Sequence, residues 1–234
     1  LFGRSISDIS AFQALQLANA VATLAGRGGS GVIANLREGV GLDRLTGDGQ
    51  VTGAVLSDGT EIAVDMVIAG IGIMPNDGPA VLAGVTLDNG IATDIQGRTS
   101  DLNIWAAGDC ASFPWQGGRI RLESVQNAID QAELVAENIM GAGKDYVPMP
   151  WFWSDQYDVK LQIAGLNTGY DKIAVRHTDD AVSYWYYKGD TLLAVDAMND
   201  PRNFMIAKRL IAAGKSPSAD AVADPDTDMK ALLK

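Results

Sequence analysis

Cysteine and histidine are nearly missing from this chain, whose 234 residues contain one of each, Cys110 and His177. A single thiol closes no internal disulfide and spells no CxxC pair, so electron chemistry would have to use a bound cofactor. His177 falls in an expected strand with no serine or cysteine nucleophile motif near it, which argues against a catalytic triad. Basic charge is also scarce. Eighteen Lys and Arg against 29 Asp and Glu leave a net charge of −11, too few clustered cations to neutralise a phosphate backbone, so nucleic acid is not an expected partner. No apolar stretch reaches the roughly 18 residues of a membrane span, and the opening LFGRSISDIS has neither the basic nor the apolar region of a secretion signal. These absences predict a soluble cytoplasmic protein. Asp224, Asp226 and Asp228 imitate the start of a calcium loop, but Met229 stands where a glycine is needed and no twelfth-position Glu follows. A solvated acidic tail and no metal site are expected.

What is present is a core-forming composition, 47% hydrophobic, enough for one large domain or two small ones. Residues 8–25 have helical spacing. Val51–Leu56 predicts a strand, Asp58-Gly59 a turn with a short return strand, and the apolar run Met66–Ile71 a buried parallel strand. Short strands are expected at Ile91–Thr93 and Leu102–Ala107, the second ending at Gly108-Asp109. Ser124–Met140 predicts a helix, with Ser124 as N-cap, Gly141 as stop, and an apolar face of Val125, Ala128, Ile129, Ala132, Val135, Ala136 and Ile139.

GAGKDYVPMP, residues 141–150, then breaks periodicity with two glycines and two prolines, a natural domain boundary. Beyond it, residues 158–165, 170–178, 182–187 and 191–197 predict strands, with Gly189-Asp190 as a hairpin turn and a helix over Asn203–Ala213. The fold class is α/β followed by an α+β C-terminal domain.

Four segments in order, VIAGIGIMPN (67–76), TSDLNIWAAGDCASFP (99–114), RLESVQNAIDQAELVAENIMG (121–141) and PWFWSDQYDVKLQIAGL (150–166), carry a resemblance. Together they resemble the FAD-dependent ferredoxin and rubredoxin reductases, the putidaredoxin reductase-like flavoproteins. The resemblance implies partial FAD- and NAD(P)-binding Rossmann-like domains: residues 1–76 closing the NAD(P) domain, 77–147 returning to the FAD domain, and 148–234 forming the C-terminal reductase domain. On that plan the chain is a C-terminal portion. GRGGSG at 26–31 has the G-x-G-x-x-G spelling but follows a helical segment and lacks the later acidic residue, so a loop is the better reading.

The resemblance also assigns residues. Asp109, behind Gly108, would accept hydrogen bonds from the ribityl and pyrophosphate region of FAD, although an Asp after Gly otherwise serves as a turn cap. Ser124 and Val125 would aim a helix N-terminus at the flavin C2 carbonyl and stabilise the reduced ring; taken alone they form an ordinary N-cap. Trp151 and Trp153 alternate around Phe152, so an extended segment puts both indoles on one side. The resemblance places Trp153 against the flavin or nicotinamide, as the catalytic aromatic, and Trp151 near the ferredoxin-facing edge; core packing is the plain alternative. Ile71 and Gly72 resemble the crossover that passes near the nicotinamide.

The implied function is electron transfer from NAD(P)H through FAD to a ferredoxin or rubredoxin of an oxygenase system. A related monodehydroascorbate or nitrite reductase component is an alternative. A non-catalytic interaction or dimerisation module is another, and a homodimer is left open. Helix 124–140 carries Asp130, Glu133 and Glu137 where a basic face for an acidic partner would be expected. Lys160, Lys172, Arg176, Arg202, Lys208 and Arg209 would have to supply one elsewhere.

Overall fold

The computed structural model describes residues 37, 39–69, 72–156, 158–178 and 181–234. The expected helix at 8–25, the GRGGSG segment and Ile71 lie outside the described residues. The chain divides into two compact units, Leu1–Gly72 and Ile73–Lys234.

In the first unit, β1 (Leu42–Thr46), β2 (Gly53–Leu56) and β3 (Glu61–Ala63) form an antiparallel sheet in sequence order. The turn between β2 and β3 follows from its chemistry. Gly59 takes φ +82°, and the Asp58 carboxylate accepts the Thr60 N–H at 2.9 Å, which holds the Asp58 carboxyl below its ordinary value. The expected strand at Met66–Ile71 is not found over its described residues, 66–69. A parallel strand exists only through a partner's ladder; none of the described residues pairs with this run, and Met66 and Val67 are 75% and 40% exposed.

The second unit opens with α1 (Gly78–Ala83), followed by β4 (Ile91–Ala92), β5 (Ala111–Trp115) and β6 (Gly118–Ile120), with β4 parallel and β6 antiparallel to β5. Leu102–Ala107 is not the expected strand. The Asp101 carboxylate accepts the Asn103 N–H at 2.8 Å and the Asp101 carbonyl accepts that of Ile104 at 3.0 Å, folding the run into a turn. Only Trp105 bridges back, to Arg98. A single 3-10 turn, Gly108–Cys110, then leads into β5.

Helix α2 (Val125–Ile139) has its expected cap, the Ser124 side chain accepting the Asn127 N–H at 3.2 Å. Its buried face shares only Val135 with the expected one. Asn127, Gln131, Val135 and Asn138 are buried, whereas Val125, Ile129 and Ile139 are 61%, 47% and 57% exposed. The reason is hydrogen bonding. Asn127 donates to the Leu122 carbonyl at 3.0 Å and accepts from the Tyr146 hydroxyl at 2.9 Å. Asn138 donates to the carbonyls of Gln96 and Lys144 and accepts the Lys144 N–H at 2.7 Å. These loop groups would be unsatisfied against an apolar stripe.

The C-terminal sheet is antiparallel, in the order β7-β8-β11-β10-β9. Its strands are β7 (Trp151–Gln156), β8 (Val159–Gly165), β9 (Lys172–Thr178), β10 (Ala181–Lys188) and β11 (Thr191–Met198). Helix α3 (Pro201–Ala212) starts with proline in its first turn and Asp200 as cap. It buries Phe204, Ala207 and Leu210 with Trp185 and Val195 in one core, about 1.5–3 kcal/mol for each large apolar side chain. Short α4 (Ala219–Ala223) packs near β9. Arg176 is not part of a basic surface. It is 5% exposed and donates to the carbonyls of Val222, Asp224, Pro225 and Thr227. The segment expected as a solvated acidic tail is therefore partly clasped by its backbone.

Candidate functional site

The 3-10 turn and α2 meet through Gly108. Its φ of +78° needs a glycine, its N–H donates to Gln131 Oε1 at 2.8 Å, and a Cβ added there would lie 3.4 Å from that of Ala128. Asp109 is thereby set beside the first turns of α2. It is exposed, and its carboxylate makes no hydrogen bond among the described residues; its carbonyl accepts from Arg121 Nη1 at 2.8 Å. At the helix start the Val125 and Gln126 N–H groups have no acceptor among the described residues, so the positive end of a 15-residue helix is open.

Above that end lies a cavity of about 360 Å³. Ser124, Gln126 and Asn127 form its polar side; Met149, Pro150, Trp151, Phe152, Ile163 and Leu166 form its apolar side. Ser124 and Trp151 thus line one cavity from its two sides. Gly108, Asp109, Val125 and Trp153 are outside the lining. Gly72 belongs to the first unit, where it is exposed with φ +98° and open space where a Cβ would go; backbone conformation, not close approach, requires glycine there.

Strand alternation divides the aromatics as expected. Trp151 pairs with Ala164 and Trp153 with Gln162, while Phe152 pairs with Ile163 on the other face. The two indoles stack with centroids 5.4 Å apart. Trp151 also meets Phe204 at 6.2 Å, and Lys208 Nζ lies 4.2 Å over its ring. Trp153 is 40% exposed. Both indoles therefore pack on the side of α3, and Phe152, not Trp153, joins the cavity lining. Tyr146 closes the polar end, and burial pushes its phenol well above the usual range. Neither Arg121 nor Tyr146 was singled out by sequence.

The arrangement suits the ring half of a flavin dinucleotide. Open helix N–H groups suit the electron-rich pyrimidine edge, an exposed carboxylate suits ribityl hydroxyls, and apolar residues suit the ring face. No glycine-rich strand–turn–helix for a pyrophosphate occurs among the described residues, nor does any His/Cys/Asp/Glu group able to hold a metal.

Comparison with known proteins agrees. The pyridine nucleotide-disulphide oxidoreductase model matches residues 29–132, and the reductase C-terminal model matches residues 151–233. Rhodocoxin reductase of Rhodococcus erythropolis is 43% identical over 80% of the chain and 44% of its own length. Both models and this relative make the chain similar to ferredoxin reductases of the pyridine nucleotide-disulphide oxidoreductase group. The ferredoxin reductase of the CYP199A2 system from Rhodopseudomonas palustris matches this chain with a TM-score of 0.79 at 39% identity, over 84% of the chain and 50% of that structure. A covalent putidaredoxin reductase–putidaredoxin complex matches at 0.79 and 34% identity, over 96% and 54%. The chain spans about half the length of the relatives it matches. Its mixed architecture of Rossmann-like and reductase C-terminal parts is theirs.

Among the described residues no helix is long and apolar enough to cross a membrane.

Proposed function

We propose that this chain is the part of an NAD(P)H-dependent, FAD-containing ferredoxin or rubredoxin reductase that closes the flavin site and carries the C-terminal domain. The observation that carries the proposal is the open N-terminus of α2 facing an apolar-walled cavity, with the Asp109 main chain tied to Arg121 just before that helix. Bound FAD supplies the conversion of a hydride donor's two electrons into single-electron transfers. The Val125 and Gln126 N–H groups stabilise negative charge at the ring's pyrimidine edge without reorganising. Asp109 accepts from ribityl hydroxyls, with Gly108 allowing the approach. Met149, Pro150, Trp151 and Phe152 exclude water from the ring face, and Trp153 stands at the solvent end of the indole stack. Ile71 and Gly72 are proposed near the nicotinamide.

The domain limits that go with this function are 1–76, 77–147 and 148–234. A ferredoxin-class partner is supported by the solved reductase–putidaredoxin complex. It is supported also by α3, which carries Arg202, Lys208 and Arg209 and no acidic residue in a chain of net charge −11.

The test uses the longer protein that contains this chain. Purified, it should show flavin absorbance bleached by NADH or NADPH, and Asp109→Ala should weaken FAD retention by about 1.5–3 kcal/mol, the range for a hydrogen bond to a charged group. A colourless protein that ignores NAD(P)H would end the proposal.

A further inference from the structure

Arg121 lies three residues before the Ser124 cap, and its side chain is only 7% exposed. Its Nε donates to the Asn89 carbonyl at 3.0 Å, its Nη1 to the Asp109 carbonyl at 2.8 Å, and its Nη2 pairs with Glu123 Oε1 at 2.6 Å. One planar fork therefore ties together the turn before β4, the 3-10 turn bearing Asp109, and the approach to α2. The fit depends on Gly90. Its φ is +121°, and a Cβ there would lie 2.6 Å from the Cys110 carbonyl oxygen and 3.0 Å from Arg121 Cδ. A buried guanidinium with all three nitrogens engaged fixes geometry as well as charge, which an ammonium cannot reproduce.

We infer that Arg121 is a positioning residue for the flavin site, holding the Asp109 main chain in register with the start of α2 so that carboxylate and helix N–H groups address one ligand together. This rests on the flavin function proposed above. Arg121 acts through Asp109, since its donors are turned onto the protein's own acceptors.

The experiment is a double-mutant cycle in the longer, FAD-loaded protein, read by FAD dissociation constant and visible flavin spectrum rather than turnover. Arg121→Met and Asp109→Ala should each weaken FAD binding tenfold or more. The double variant should be no more than about threefold weaker than Asp109→Ala alone, since interacting residues are not additive. Arg121→Lys, which keeps the charge and preserves folding if the methionine variant does not, should remain at least fivefold weaker than wild type and show a shifted flavin band. Wild-type affinity in Arg121→Met, full rescue by lysine, or losses that multiply in the double variant would each overturn the inference. Failure of the parent protein to bind FAD would instead refute the flavin function.

Discussion

Gln131 accepts the amide hydrogen of Gly108 at 2.8 Å from the buried side of α2, while Ile129, two residues earlier, is 47% exposed. The polar face of this helix is the one that holds the candidate site together. Mutation should show it. Gln131→Ala leaves the buried Gly108 N–H without an acceptor and should destabilise by about 1–3 kcal/mol, whereas Ile129→Ala should stay within about 0.5 kcal/mol. Equilibrium urea unfolding of the two variants decides, and the reverse order would mean that the apolar stripe is the packed one.

Asp196 gives a pH dependence. Burial raises its carboxyl above the ordinary value, an effect only partly offset by the hydrogen bond it accepts from the Tyr186 hydroxyl at 2.8 Å. A raised folded-state value means that this contribution to stability is complete below about pH 3.9, the unfolded value, and is lost as pH rises through the folded one. Asp196→Asn keeps an acceptor for Tyr186 without the charge. Its melting temperature should exceed wild type at pH 7, with the gap narrowing as pH falls towards 3.5; a gap independent of pH would remove desolvation as its cause.

Arg176 predicts a larger loss. Replacing it with Met strips four backbone carbonyls between Val222 and Thr227 of their donor and should lower unfolding free energy by at least about 2 kcal/mol. Denaturant titration and protease cleavage after Ser218 would both report the released segment, and an unchanged midpoint would show the clasp to be unimportant.

The polypeptide Leu1–Lys234 itself should elute colourless from gel filtration after incubation with FAD and should not oxidise NADH. On the proposed function, Asp109 and the start of α2 address only the ring and ribityl chain, and a dinucleotide is held chiefly by its pyrophosphate. A stoichiometrically yellow protein would show that a phosphate site exists in this chain after all.

Much of this architecture can be read from residues. Ser124 and Gly141 bracket α2 because capping is local chemistry, and β8 to β11 announce themselves by β-branched and aromatic residues around the Gly189 turn. The helix face was misjudged because the partners of Asn127, Gln131 and Asn138 are main-chain groups and a tyrosine elsewhere in the fold, invisible to periodicity. Met66–Ile71 looked like a strand because apolar composition says nothing about whether a neighbour is there to pair. Asp109 and Ser124 are singled out by the spelling of their segments. Arg121 is not, since its carbonyl acceptors are 12 and 32 residues away.

The Arg176 clasp also sets an order of events at the ribosome. The acceptors of its guanidinium lie 46 to 51 residues further along the chain, so β9 leaves the exit tunnel well before they exist. Until Thr227 emerges, the nascent sheet carries a cation beside a half-made core, a state that water must solvate and a chaperone can recognise. Closure of the C-terminal domain is thereby deferred until residues 222–227 have been made, because long-range contacts must wait for the chain that makes them.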